Sequence, residues 1–169
     1  MQTQILIGIG VLIIAIGLIW VFIICSKNNK VQSEYSRELW KAIYEVDEQR
    51  VRALLQEDNR YINESNESDQ TPLYYICGAR NHSVFLGILD ALLEQDNIKI
   101  NKTNKDGETP LFIACKEGHE AIVTTLLEND RIEIKKATKD GATSLSIACS
   151  QGHETIVKAL LKKKNWMLY

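Results

Sequence analysis

The chain repeats itself. Thr109 to Leu127 reads TPLFIACKEGHEAIVTTLL, and Thr143 to Leu161 reads TSLSIACSQGHETIVKALL; 12 of the 19 positions are identical. The register extends backwards. Leu126-Leu127 recurs as Leu92-Leu93, at the same step as the two long copies. Thr109-Pro110-Leu111 recurs as Thr71-Pro72-Leu73, at a slightly longer step that Ile100-Asn101 and Ile62-Asn63 share. Leu39 and Leu55 match Leu145 and Leu161, three units on. The second unit is a few residues longer, and VFLGILDALL, Val84 to Leu93, holds the insertion. Four units emerge, at about 34–64, 65–102, 103–136 and 137–169. A fixed period of this length signals supersecondary bricks that bury their apolar faces only by stacking.

Each brick reads as two short helices. Thr109 is a good N-cap, and Pro110 suits the first helical position. LFIAC is a compact apolar stretch, and Gly118 then stops the helix by supplying a left-handed residue. A second helix starts near His119-Glu120, with Ile122, Val123, Leu126 and Leu127 on one face at helical spacing. Polar linkers lead through Asp106-Gly107 or Asp140-Gly141, both tight-turn dipeptides, into the next unit. The first unit, ELWKAIYEVDEQRVRALL, lacks both TPL and GH. It reads as an end cap whose charges Glu38, Lys41, Glu45 and Glu48 meet water.

The N-terminal part is a different material. Residues 5–25, ILIGIGVLIIAIGLIWVFIIC, hold no charge, and every Asp, Glu, Lys and Arg of the chain lies in 27–169. As a helix this run spans roughly 32 Å, which matches a hydrocarbon core of roughly 30 Å. A signal peptide has a basic start and a shorter apolar core, and MQTQ carries no Lys or Arg. The run is therefore expected to be a transmembrane helix, with residues 1–4 a short tail and 26–33 a linker. Lys27, Lys30 and Arg37 follow it and none precede it, so the positive-inside bias places the repeats in the cytoplasm and the N-terminus outside. No G-x-x-x-G pair supports dimerisation within the membrane. Cys25 stands at the membrane edge, the setting of a palmitoylated cysteine.

Chemistry is sparse. Cys77, Cys115 and Cys149 share one repeat position, so stacking sets them roughly 8–10 Å apart. That exceeds the roughly 7 Å a disulfide spans and the reach of one zinc ion. They read as small buried residues of the inner helices. His119 and His153 are likewise one unit apart and read as scaffold. No phosphate loop, H-E-x-x-H or G-x-S-x-G motif occurs. No catalytic residue, metal, cofactor or small-molecule ligand is expected. The net charge of −2 argues against a nucleic-acid partner. Four N-x-S/T sequons begin at Asn63, Asn66, Asn81 and Asn101, and a cytoplasmic domain leaves them silent.

The motifs Thr109-Pro110-Leu111, Ala114, Gly118-His119, Ile122-Val123 and Leu126-Leu127 resemble the ankyrin repeat. So do Thr143, Leu145, Ala148, Gly152-His153, Ile156-Val157 and Leu160-Leu161. The likeness covers residues 34–161 and implies an all-α helix-turn-helix solenoid of about four repeats, here preceded by one transmembrane helix. The family's T-P-L-H histidine is Tyr74, Phe112 and Ser146 in this chain, so its loop hydrogen bonds are expected to be lost. Ser144 replaces the proline of the last unit. The closing KKKNWMLY puts Lys162 to Lys164 where a helix C-terminus favours cations, with Trp166 to Tyr169 as a cap or a contact surface.

The resemblance also implies a function, protein–protein interaction through a concave face of turn tips and inner-helix ends. Carried over by position, that face comprises Ser65, Glu67, Ser68 and Gln70, continued by Gly78 and Ala79, in the second unit. It comprises Thr103, Lys105, Asp106, Glu108, Lys116 and Glu117 in the third, and Ala137, Lys139, Asp140, Ala142, Ser150 and Gln151 in the fourth. These residues are small or of mixed charge, with few aromatic anchors. The expected molecule is a membrane-anchored adaptor for an unidentified protein. The alternative is an exported effector of an intracellular bacterium, with residues 5–25 as its export signal.

Overall fold

A computed structural model of the chain describes residues 34–80 and 82–166, the last three by backbone alone. The expected membrane helix at 5–25, the tail, the linker and residues 167–169 lie outside the described residues. Among the described residues, no helix is long and apolar enough to cross a membrane. Two compact units make up the chain, Met1–Glu38 and Leu39–Tyr169; the second carries the repeats.

The described residues are all-α. Residues 34–44 are helical (α1). Then follow α2 (Glu48–Glu57), α3 (Pro72–Gly78), a 3-10 turn (His82–Phe85), α4 (Leu86–Leu93), α5 (Pro110–Glu117), α6 (Glu120–Glu128), α7 (Ser144–Ser150) and α8 (Glu154–Trp166). An isolated β-bridge joins Ala137 to Thr143. Helices α3, α5 and α7 pack side by side as an inner row. Behind them α2 packs on α4 and α6 on α8. The core runs the length of the stack: Ile43, Leu73, Ile76, Ile88, Leu92, Leu111, Ile122, Leu126, Ile156 and Leu160 are fully buried. Each such side chain contributes about 1.5–3 kcal/mol when removed from water.

Local sequence sets the helix ends. The hydroxyls of Thr71, Thr109 and Thr143 accept from the backbone N–H of Tyr74, Phe112 and Ser146 at 3.2, 3.1 and 3.2 Å. These bonds satisfy donors that an isolated helix leaves bare. Pro72 and Pro110 occupy the first turn of their helices. Ser144 lacks that help, but Ser146 Oγ accepts from Thr143 N at 2.8 Å and closes a capping box. Gly118 ends α5 with φ +76°. The longer second unit spends its extra residues on the 3-10 turn before α4, whose Phe85 is buried.

Polar stitches hold successive units in register. Asn63 donates to the Asn97 carbonyl at 2.9 Å and accepts from Lys99 N at 2.7 Å. Asn101, its counterpart one unit on, does the same to the Arg131 carbonyl and Glu133 N, at 2.7 and 2.9 Å. Lys102 Nζ reaches the Asn63 carbonyl at 2.7 Å, and Lys136 Nζ reaches that of Asn101 at 3.2 Å. The recurrence of Ile-Asn thus has two causes. The isoleucine, Ile62 or Ile100, is buried, and the asparagine bonds the next unit's backbone, whose polar groups must find partners.

One expectation needs correction, that of Cys149, and two others gain detail. Glu48 meets water as expected and is also tied to the stack. It pairs with Arg52 at 2.9 Å, and Arg52 crosses to Glu94 at 3.0 Å and the Gly87 carbonyl at 3.3 Å in the second unit. Cys149 is exposed, whereas Cys77 and Cys115 are buried. Burial of an inner-helix position comes from the following unit, and among the described residues no further inner helix packs on the far side of α7. Lys162–Lys164 lie in the closing turns of α8, which ends at Trp166, and Lys163 also pairs with Asp130 of the preceding unit at 3.2 Å.

Candidate interaction surface

Three turn tips are built alike. Asn66 Oδ1 accepts from Ser68 N and Gln70 N at 3.0 Å each. Asn104 Oδ1 accepts from Asp106 N at 2.9 Å and Glu108 N at 3.0 Å. In the fourth unit Thr138 Oγ1 accepts from Ala142 N at 3.0 Å and donates to the Asp140 carboxylate. That last bond holds the Asp140 carboxyl below its ordinary pKa. The turns need a left-handed residue, which Gly107 and Gly141 supply at φ +83° and +84°. Asp69 fills the corresponding place in the second unit at φ +59°. Adjacent tips are tied by Lys139 N donating to the Asp106 carbonyl at 3.0 Å.

This construction sorts the residues assigned to the surface. Glu67, Ser68, Lys105, Asp106, Lys116, Glu117, Ala137, Lys139, Asp140, Ser150 and Gln151 are exposed. Ser65, Gln70, Thr103, Ala142 and Glu108 are half-buried, as are Gly78 and Ala79. Glu108 is part of the scaffold. Its Oε2 accepts from Tyr74 Oη at 2.6 Å and from Asn104 Nδ2 at 2.9 Å, and its Oε1 from Lys116 Nζ at 3.3 Å. Burial by itself would raise the Glu108 pKa, but hydrogen bonds from Tyr74, Asn104 and Lys116 outweigh it and pull the pKa down. Tyr74, buried and facing that carboxylate, has its own pKa pushed far up, first by burial and then by Glu108. The loss of hydrogen bonding expected at the T-P-L-H position is therefore wrong for Tyr74. Its hydroxyl makes the bond across to the next unit.

One junction further the clasp is absent. Phe112 stands for Tyr74 and Ala142 for Glu108, so neither the hydroxyl nor the carboxylate is there. A cavity of about 430 Å³ opens between the third and fourth units. Phe112, Ala142 and Ile147 line it, with Asp106, Glu108, Lys116, Lys139 and Asp140 around it.

The first junction carries side chains that sequence reasoning left out. Trp40, Tyr44, Tyr75 and Phe85 form a chain of rings. Tyr44 lies 5.5 Å from Trp40 and 5.2 Å from Tyr75, edge-on to the latter, and Tyr75 lies 6.2 Å from Phe85. Trp40 is buried with its indole N–H unpartnered among the described residues, whereas Tyr44 is 51 % exposed. The signal for Tyr44 was in the register. The same three-unit offset that matches Leu39 to Leu145 matches Tyr44 to Ser150, a residue assigned to the surface. The first unit lacks TPL and GH, which hid the equivalence.

The histidines serve the scaffold in different ways. His153 Nε2 lies 3.3 Å from the Lys116 carbonyl of the unit before. His119 is buried and stacks on His82 at 4.1 Å, and among the described residues its Nε2 has no partner. Burial, then the neighbouring His82, push the His119 pKa below its ordinary value. Burial likewise raises the Cys77 thiol and pushes Cys115 up to about 12; these thiols are poor nucleophiles. Among the described residues no group of three His, Cys, Asp or Glu side chains is placed to hold a metal ion.

Comparison with curated proteins returns no match. A family model described as ankyrin repeats (3 copies) matches residues 39–136 and 82–167. With that match over most of the chain, and with capped helix pairs stitched unit to unit at the repeat spacing, the chain belongs to the ankyrin-repeat family.

Proposed function

We propose that this chain is a membrane-held adaptor, tethered by residues 5–25, whose cytoplasmic repeat stack binds a protein through its concave face. Ankyrin repeats are protein–protein interaction modules, generally without catalysis, and the tether and the face are the further step. The observation that carries the face is a division of labour among positions. Shared positions such as Thr109 and Leu111 are buried in the core. At the inner-helix ends the units differ, Lys116-Glu117 against Ser150-Gln151, and there the side chains are exposed. A stack stitched at every junction presents its tips with little conformational freedom to lose, which favours binding.

The cytoplasmic orientation is supported by the flanking charges. It is also supported by the sequon asparagines. Asn63 and Asn101 direct their amide nitrogens at carbonyls of the next unit, where a glycan would collide with the neighbouring turn.

Proximity labelling with the full chain in its native cell tests the reading. Lys105→Glu with Lys139→Glu should change the labelled set, while Glu128→Lys on the outer helix α6 should not. An identical set from both variants would exclude the concave face. Carbonate extraction tests the tether: the full-length chain should stay in the membrane pellet. A shortened, soluble product would instead support export through a cleaved signal.

A further inference from the structure

The turn tips of the first two units carry no Lys or Arg. Their tip and inner-helix-end positions hold Tyr44, Glu45, Glu67, Ser68, Asp69, Gln70, Gly78 and Ala79, with exposed Lys41 one turn before Glu45 and exposed Arg80 just after Ala79. The third and fourth units place Lys105, Lys116 and Lys139 at theirs, interspersed with Asp106, Glu108, Glu117 and Asp140. Glu45, Glu67 and Asp69 are exposed. Among the described residues none of the three forms an ion pair, in contrast to Glu48, Glu94 and Asp58.

The exposed ring of Tyr44 is tied to the tip that carries two of these carboxylates. Asn66 Nδ2 meets Tyr44 Oη at 3.3 Å. The same Asn66 anchors the 66–70 tip through Ser68 N and Gln70 N, and that tip carries Glu67 and Asp69. The Tyr44 hydroxyl thus already has a partner, and what it offers a visitor is its face. The ring is braced from behind by Trp40 and Tyr75, so little rotamer freedom is lost on binding. Aromatic side chains braced in this way are common anchors of protein interfaces.

Resting on the concave-face reading above, we propose that the first two units bind an arginine-bearing basic segment of a partner protein, with a guanidinium over the Tyr44 ring. A guanidinium is flat, weakly hydrated and rich in donors. It can lie on an aromatic face while its edge bonds carboxylates such as Glu67 and Asp69. A lysine ammonium satisfies the charge but not the stacking. An acidic or phosphorylated segment meets the carboxylates of Glu45, Glu67 and Asp69 and is repelled.

The test uses the full chain in detergent micelles and three labelled dodecapeptides: alternating Gly-Arg, Gly-Lys and Gly-Glu. Fluorescence anisotropy should show Gly-Arg binding most tightly, Gly-Lys more weakly and Gly-Glu not at all. Tyr44→Leu should weaken Gly-Arg binding roughly three- to fivefold, the scale of one exposed cation–π contact, and Tyr44→Phe should restore it. Glu67→Gln with Asp69→Asn should weaken both basic peptides and flatten the salt dependence. Circular dichroism melts confirm that each variant is folded, and a Tyr44→Leu chain that fails to fold is replaced by Tyr44→Met. Equal Gly-Arg binding by folded Tyr44→Leu or Tyr44→Met and the parent overturns the proposal, as does Gly-Glu binding best. If Tyr44→Leu alters proximity labelling but no basic peptide binds, the basic partner is wrong and the concave-face reading stands. If no concave-face variant alters labelling, both fall.

Discussion

The clasp between the second and third units gives the sharpest test of how this stack is held. Tyr74→Phe deletes one oxygen and leaves the ring in place. The hydroxyl donates to the Glu108 carboxylate at 2.6 Å and accepts from Asn104 at 3.1 Å. Tyr74 is buried, and the Glu108 side chain is 17 % exposed. Hydrogen bonds to a charged partner contribute about 1.5–3 kcal/mol. The low end applies, because Glu108 keeps Asn104 and Lys116 as donors and is not orphaned. We expect a loss of about 1.5 kcal/mol in urea unfolding followed by circular dichroism, and a fall in Tm of about 4–8 °C. A double-mutant cycle of Tyr74→Phe with Glu108→Ala should give a coupling of about 1–2 kcal/mol. The next junction supplies a reciprocal experiment. Phe112→Tyr and Ala142→Glu together should install a second clasp and stabilise the chain, whereas Ala142→Glu alone should not. The pH dependence has a definite sign. The folded Glu108 pKa lies below its ordinary 4.5. Its contribution is therefore present above that value and is lost as pH falls through the folded pKa. Tyr74→Phe should shrink that acid-side loss. A coupling within about 0.3 kcal/mol of zero, the scatter of independent sites, would refute the clasp.

Other outcomes follow from single positions. Gly118→Ala should destabilise more than Gly152→Ala. Both residues have φ near +75° and share a backbone penalty of about 1–2 kcal/mol, but a Cβ at Gly118 would sit 2.6 Å from the His153 ring, and one at Gly152 meets nothing. Equal melting temperatures would show that the ring moves aside freely. In a Cys25→Ser background, Ellman's reagent should modify the exposed Cys149 rapidly and the buried Cys77 and Cys115 only through unfolding; three equal rates would contradict that burial. His119, with its folded pKa lowered, should contribute fully above its ordinary pKa of 6.5 and lose that contribution as the unfolded chain takes up the proton below it. His119→Gln should accordingly flatten the stability profile between about pH 7 and 5, and an unchanged profile would assign the slope elsewhere.

The repetition alone was enough to place helix pairs, caps and turns, because those depend on a few neighbouring residues. Thr109, Pro110 and Gly118 act within one helix, and Asp106-Gly107 within one turn. Equivalence between units was also legible, since copies of a brick that must stack the same way keep the same apolar positions. What each copy meets across the junction was not legible. Tyr74 and Glu108 belong to different units, and only stacking shows that the phenol bonds the carboxylate instead of losing the contacts of a histidine. Cys77, Cys115 and Cys149 share one repeat position, yet Cys149 is exposed, because burial is conferred by the neighbouring unit. Tyr44 stood in an end unit without the motif that marks a surface position, and its place among Trp40, Tyr75 and the 66–70 tip emerged only when the units were assembled. Sequence by itself determined the brick and its period. Tertiary structure decided which polar and aromatic residues are spent between bricks and which are left for a partner, because that depends on contacts one repeat away along the chain.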